Sequence, residues 1–449
     1  MKALTAEFVR RFGCTPALVV RAPGRVNLIG EHTDYNGLPV LPFAIAQSHF
    51  LAVSECGKRL IEIANLDSRY PARAITLDDL AAFSQAGEWD NYVRAAILGL
   101  RDGGLATRDN LARGLRLLVS SNLPASVGLS SSSALVVGTA LAALHIWHVQ
   151  YDRLQLADLL AEAEHYVGTR GGGMDQTVCL IGREGHVLKI EFFPLHVEPI
   201  VFARDVEVYL ADSGVRVEKS GRGRALYNRR PIECRLALAV FQSWAQTNGR
   251  PELAGACYWG DLVKPPLSLS HAVVLKMIAE AIELSSYSQN DLCRSLGISQ
   301  TDLRETYLKI GPDDYFTEPA DGFQLRRRVE HVVAEARRVE QAVEALRHGD
   351  VSRLADLINA SHASCRDLYE ISCPELERLV VAAAETGALG SRLTGAGFGG
   401  CTLHLVRRAD ADRFEGAMRR RLGESLRLLR VRPSCGAEIL ETANQQTAD

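Results

Sequence analysis

The sequence predicts an α+β fold in two lobes with a cleft between them. Three observations carry that expectation. At 449 residues the chain is too long for one hydrophobic core, because single cores stop growing near ~250 to 300 residues. β-Branched and aliphatic runs bounded by Gly, Asn and Asp recur from Ala17 to Leu210. Apolar residues at three- and four-residue spacing then dominate from about Arg222 to Arg353, the pattern of amphipathic helices. The expected division is an N-terminal domain, 1–205, and a C-terminal domain, 206–449, with a helical insertion at about 249–321.

The elements follow in order. "MKALTAEFVRRFG" carries charges and no apolar core segment, so it reads as a short amphipathic helix and not as an export signal. "ALVVRAPGRVNLIGEHTDYNGLPVLPFAI" reads as strand, polar turn, strand. "GLRLLVSSNLPASVGLSSSSALVVGTALAALHIWH" is a strand ending near Ser120, a Pro/Gly/Ser turn, and a helix from about Ser131 that is expected to be buried on nearly all sides. "DRLQLADLLAEAEHYVGTRGGGMDQTVCLIGREGHVLKIEF" is a helix, a glycine loop, a short helical turn and a hairpin through "GREG". Val206 to Leu210 reads as a buried strand. "GALGSRLTGAGFGGCTLHLV" returns to loop and strand, a basic helix spans roughly Ala411 to Leu422, and strands lie around "LLRVR" and "AEIL", with "ANQQTAD" as a loose end.

Composition excludes several classes of function. Fifty-one basic against 54 acidic residues leave a formal charge of -3, so no global field draws the chain to nucleic acid or to an anionic membrane. The longest apolar stretch, "ALVVGTALAALHIW", is too short to span a bilayer. Ten cysteines are scattered without a CxxC pair, which predicts reduced, mostly buried thiols and a cytoplasmic setting. Small molecules are therefore the expected partners.

Four stretches carry chemistry. "GRVNLIGEHTDYNG", Gly24 to Gly37, crowds Arg25, Glu31, His32 and Asp34 onto one loop. "LPASVGLSSSSA" is a strand-to-helix turn without bulky side chains; by itself it is either a serine N-cap or a phosphate cradle. "GTRGGGMDQ" sets Asp175 just after three glycines, as a helix cap or as a catalytic group. "GSRLTGAGFGGC" is either a tight turn or a site of close backbone approach to a ligand. Neither GxxxxGK[ST] nor an N-terminal strand-GxGxxG-helix unit is present, so a phosphate cradle here is of another kind. Jointly, the four suit a phosphate donor and a polyhydroxylated acceptor.

In these stretches the chain resembles the GHMP small-molecule kinases, and within them the galactokinases, over nearly its whole length. "GRVNLIGEHTDYNG" looks like the galactokinase signature, "LPASVGLSSSSA" like the family's ATP-binding motif and "GSRLTGAGFGGC" like its third motif. The resemblance implies a two-domain α+β GHMP kinase fold with the active site in the cleft between lobes. It implies transfer of the γ-phosphoryl group of MgATP to the anomeric hydroxyl of galactose. Asp175 and Arg25 would be catalytic, and Glu31, His32, Asp34, Gly172, Gly173 and Tyr227 would bind the sugar. Pro124, Gly128, Leu129, Ser130, Ser131, Ser132 and Ser133 would bind ATP, and Ser132 and Glu164 would hold Mg²⁺. Galactose and MgATP would be the partners of a monomer.

Two variants in the motifs, the "GTRGGGMDQ" form and four serines in a row, are similar to the N-acetylgalactosamine kinase branch, as is the segment holding "CRSLGIS". "HTDYN" and Tyr227 look like galactokinases proper. N-Acetylgalactosamine 1-kinase is thus the alternative, followed by a non-catalytic galactose and ATP sensor of the same fold.

Overall fold

The computed structural model describes residues 2–85, 87–124, 128–168, 171–216, 222–310 and 314–440, with the side chains of 222–225 set aside. The expected loose end "ANQQTAD" and parts of the "LPASVG" and "GTRGGG" turns lie outside the described residues. The chain divides into two compact units, one of 1–26, 42–188 and 432–449, the other of 27–41 and 189–431. This is not a single cut at 205/206. The stretch 27–41, which holds most of the "GRVNLIGEHTDYNG" loop, belongs with the later half of the chain, and the C-terminal stretch belongs with the first. A strand pairing explains the second crossing, since Val19 to Arg21 pair antiparallel with Glu438 to Leu440.

The first unit begins with helix α1 (Lys2–Phe12), whose Leu4 and Phe8, one turn apart, bury against Val19, Ala52, Ala64 and Leu118. Its strands are β1 (Leu18–Asn27), β2 (Pro42–Cys56), β3 (Leu60–Asn65), β4 (Arg73–Thr76) and β5 (Gly114–Ser121), interrupted by helix α2 (Asp90–Asp102). Helix α3 (Ser131–Ile146) follows and is buried at every position except Ser131, Ser132 and His145, as its all-apolar sequence predicts. Helices α4 (Arg153–Ala163) and α5 (Met174–Ile181) complete it before β6 (His186–Glu191). "GREG" is therefore no hairpin: a helix, not a strand, precedes it, and the hairpin turns between β6 and β7 (His196–Val201) instead. "VCLI" has strand-like composition, but it continues the helix opened at Met174 and is largely buried there.

The second unit contains β8 (Val206–Asp212), buried along nearly its whole length as expected. Helices α6 (Arg222–Thr247), α7 (Pro251–Ala254), α8 (His271–Ala281), α9 (Gln289–Leu296), α10 (Gln300–Leu303), α11 (Leu325–His348), α12 (Val351–Asp367) and α13 (Pro374–Glu385) follow. Strands β9 (Gly390–Thr394) and β10 (Cys401–Arg407), helix α14 (Ala411–Leu422) and β11 (Leu428–Val431) close it, and β12 (Glu438–Leu440) rejoins the first unit. The sheets run β12-β1-β2-β5-β3-β4 and β11-β8-β10-β9. Residues of α13 and α14, among them Leu379, Ala383, Phe414 and Met418, cover Tyr209, Ala211 and Val406. The helical insertion is no appendage: Trp259, Leu262, Ile278, Leu292 and Leu303 share one apolar core with Phe241, Val329 and Val333 of α6 and α11.

Candidate active site

In the first unit the site is built around Asp175. Gly173 adopts φ 94, a left-handed conformation that costs glycine nothing. It starts α5 so that Asp175 falls in the first helical turn. Arg25, near the end of β1, donates from Nε to Asp175 Oδ1 at 2.7 Å and from Nη1 to the Gly128 carbonyl at 2.6 Å. Its backbone N–H reaches the Leu129 carbonyl at 3.3 Å. That approach needs a residue without a side chain at position 24, where a Cβ would come within 2.7 Å of the Leu129 oxygen.

The second carboxylate oxygen is held by the serine run. Ser130 Oγ donates to Asp175 Oδ2 at 2.5 Å, and Ser133 Oγ lies 3.5 Å from the same atom. Ser130 precedes α3 in a left-handed conformation, φ 56, and makes no side-chain cap bond to that helix. Ser130 is thus no N-cap: its hydroxyl goes to the carboxylate and not to the first helical N–H groups. Those amides and the helix dipole favour an anion. Ser131 and Ser132 are half-buried in the first turn, and Pro124 is exposed. Glu164 is buried where α4 ends, and Gly172 is half-buried just before Gly173.

His49 of β2 is a residue that sequence reasoning missed. Its Nε2 lies 2.9 Å from the Ser131 carbonyl and 3.0 Å from Ser131 Oγ. Burial pushes its pKa down to about 4, so it is neutral at pH 7 and donates from Nε2. A histidine in a strand otherwise rich in apolar residues gives no signal of this role.

In the second unit the loop at 27–41 is stitched to the third motif. Glu31 Oε1 accepts the Gly395 N–H at 2.9 Å and pairs with Arg392 at 3.2 Å, and both side chains are almost fully buried. The Gly30 N–H donates to Glu335 Oε1 at 3.0 Å, and His331 Nε2 meets the Glu31 carbonyl at 3.1 Å. His32 has φ 60 and places Nδ1 at 2.8 Å from the Tyr35 hydroxyl and Nε2 at 3.2 Å from the Ala396 carbonyl. Its ring centroid lies 5.7 Å from that of Tyr227. Burial, reinforced by His331, pushes the His32 pKa down to about 3. Asp34 is buried at the start of a short 3₁₀ turn, Asp34–Asn36, whose Asn36 side chain donates to the His32 carbonyl at 2.9 Å.

The structure thus brings Arg25, Gly128, Ser130, Ser133 and Asp175 together in one unit, and Glu31, His32 and Tyr227 in the other. Arg392 lies within "GSRLTGAGFGGC" on β9, and its pairing with Glu31, far away in sequence, leaves no local trace in that motif. Glu335, His331 and Tyr369 gave no local signal, because their partners are far away in sequence.

Comparison with known proteins agrees with this arrangement. The galactokinase galactose-binding signature matches residues 6–55, and the N-terminal and C-terminal GHMP kinase domains match 91–183 and 342–424. A galactokinase of Dictyostelium discoideum is 33% identical over 437 residues, covering 90% of this chain and 84% of its own. One from Chloroflexus aggregans is 33% identical over 420 residues, covering 93% and 91%. The crystal structure of Lactococcus lactis galactokinase complexed with galactose superposes with a TM-score of 0.79 at 25% identity, covering 98% of this chain and 99% of that one. The sugar-type loop, the serine cradle and the third motif therefore stand in a chain that belongs to the galactokinase family of the GHMP kinases.

Proposed function

We propose that the protein transfers the γ-phosphoryl group of ATP to the anomeric hydroxyl of galactose, giving α-D-galactose 1-phosphate and ADP. The observation that carries the reading is the clamped carboxylate of Asp175, with Arg25 on one oxygen and Ser130 on the other. Its side chain remains 27% exposed, so it can still meet a substrate hydroxyl. In the reaction Asp175 orients the hydroxyl and takes its proton as the new O–P bond forms and the bond to ADP breaks. The transition state is loose and its charge lies on oxygen, so catalysis is mainly positioning and electrostatics. Arg25 and the N-terminal end of the α3 dipole supply fixed positive potential.

Glu31, His32, Asp34, Gly172, Gly173 and Tyr227 are assigned to the sugar. Pro124, Gly128, Leu129 and the serines through Ser133 are assigned to ATP. Ser132 and Glu164 offer one hydroxyl and one carboxylate. Among the described residues no group of three or more His, Cys, Asp or Glu is placed to hold a metal. That hard and sparse donor set fits Mg²⁺, which keeps water and phosphate oxygens in its shell, and does not fit a softer ion. When bound, Mg²⁺ would neutralise charge on the phosphate oxygens. No helix among the described residues is long and apolar enough to cross a membrane, and the proposed setting is the cytoplasm, with the protein acting as a monomer.

The test is Asp175→Asn, which keeps the shape and removes the base. Turnover of galactose is expected to be lost, with ATP still bound and the thermal transition little changed. A variant that kept a tenth of the wild-type kcat, roughly 1.4 kcal/mol of barrier, would sink the assignment.

A further inference from the structure

A line of four side chains in the second unit starts at His32 and runs through three residues, Tyr35, Tyr369 and Cys234, that have no part in the chemistry described so far. His32 Nδ1 is 2.8 Å from the Tyr35 hydroxyl, which is 2.8 Å from the Tyr369 hydroxyl, which is 3.4 Å from Cys234 Sγ. At the far end His32 Nε2 meets the Ala396 carbonyl at 3.2 Å. Tyr369 and Cys234 are buried, and the rings of His32 and Tyr369 lie 4.9 Å apart.

Proton counting fixes the direction of every bond in this line. The Ala396 carbonyl has no hydrogen, so His32 Nε2 must donate. The ring is neutral, as its burial requires, which leaves Nδ1 as an acceptor for the single proton of Tyr35. With that proton used, the Tyr35 oxygen accepts from Tyr369, and the Tyr369 oxygen in turn accepts from the Cys234 thiol. One arrangement satisfies all four groups, running from α6 through the turn after α12 and the sugar-type loop to the third-motif loop. Reversing the bond at His32 or the one between the two tyrosines leaves two buried acceptors facing each other, at a cost of about 1 to 3 kcal/mol.

We propose that Tyr369 is a positioning residue for sugar recognition: through Tyr35 it holds the His32 ring, whose Nε2–H is already set by the Ala396 carbonyl, in one orientation. This rests on the reading that the 31–36 loop binds the sugar. Loss of the Tyr369 hydroxyl leaves the Tyr35 oxygen without its donor and the Tyr35 hydroxyl without its brace. The His32 ring then keeps its Nε2–H tautomer but loses its fixed orientation, while Asp175, Arg25 and the serine run are untouched.

The experiment combines histidine-selective ¹⁵N NMR with kinetics on the full chain, for wild type and Tyr369→Phe. The His32 signals are identified by their absence in His32→Asn. The wild type is expected to show His32 neutral with its proton on Nε2, and Tyr369→Phe to keep that tautomer with a shifted, broadened Nδ1 signal as the hydrogen bond from Tyr35 loosens. KM for galactose is expected to rise about threefold to tenfold, with kcat and KM for ATP within about twofold. A wild-type His32 that is charged or protonated on Nδ1 overturns the proposal even if the variant fails to fold. A changed Nδ1 signal with an unchanged KM for galactose overturns the positioning role and leaves the kinase reading intact. Failure of the wild type to phosphorylate galactose at all overturns both.

Discussion

Ser130 donates its hydroxyl to Asp175 at 2.5 Å, although it sits where a serine would ordinarily cap helix α3. The serine run therefore has a side chain turned toward the carboxylate, and in the proposed reading its backbone amides serve the phosphate of ATP. Ser130→Ala is expected to lower kcat about tenfold to a hundredfold, since a hydrogen bond to a charged group is worth roughly 1.5 to 3 kcal/mol. The thermal transition is expected to move little, because no cap is lost. A large fall in stability with kcat preserved would return Ser130 to the role of a cap.

Arg25 bonds two acceptors at once, Asp175 and the Gly128 carbonyl, using separate nitrogens of one planar group. A lysine cannot reproduce that fork. Arg25→Lys is expected to cut kcat/KM by about a hundredfold although the charge is kept. Near wild-type activity would mean that only the charge matters.

The Glu31 and Arg392 pair is nearly closed to solvent. Removing one partner strands the other, so Arg392→Met is expected to cost about 3 to 5 kcal/mol in denaturant unfolding. The double change Glu31→Gln with Arg392→Met is expected to recover much of that loss, while galactose binding stays impaired. If the single variant loses less than about 1 kcal/mol, the pair is not the brace described here.

Buried histidines set an acid limit on stability. The pKa values of His32 and His404 are pushed down to about 3, and those of His49 and His331 to about 4, with burial the leading cause in each. In the unfolded chain these rings titrate near ~6.5, so below that pH the unfolded state binds protons that the folded state refuses. The stabilisation is fully present above ~6.5 and is lost progressively as pH falls toward the folded-state values. Urea unfolding at stepped pH is expected to lose stability already between pH ~6.5 and ~5, by roughly 1 to 2 kcal/mol per buried ring. A flat profile over that window contradicts the neutral, buried state of these residues.

Much of the site was legible because it lies in contiguous motifs. Asp175, Arg25 and the serine run are each marked by nearby glycines or by one another, and the structure joins Arg25, Ser130 and Asp175 through direct bonds. What could not be read were partnerships closed over long sequence distances, such as Glu31 with Arg392 or Gly30 with Glu335. The interleaving of the two units was hidden for the same reason, since the pairing of Val19 with Leu440 leaves no local trace. "GREG" misled because "VCLI" carries strand composition while the left-handed Gly173 starts a helix upstream.

The most direct test is a coupled ADP-release assay on galactose, N-acetylgalactosamine and glucose, with ³¹P NMR of the product. The expected product is α-D-galactose 1-phosphate. Glucose is expected to be worse by about 10⁴-fold, because its equatorial 4-hydroxyl leaves buried polar groups unpaired. N-Acetylgalactosamine is expected to be at least about tenfold poorer than galactose, with Tyr227→Phe narrowing the gap. Phosphate found on a hydroxyl other than the anomeric one, or a wild-type preference for N-acetylgalactosamine, would contradict the account.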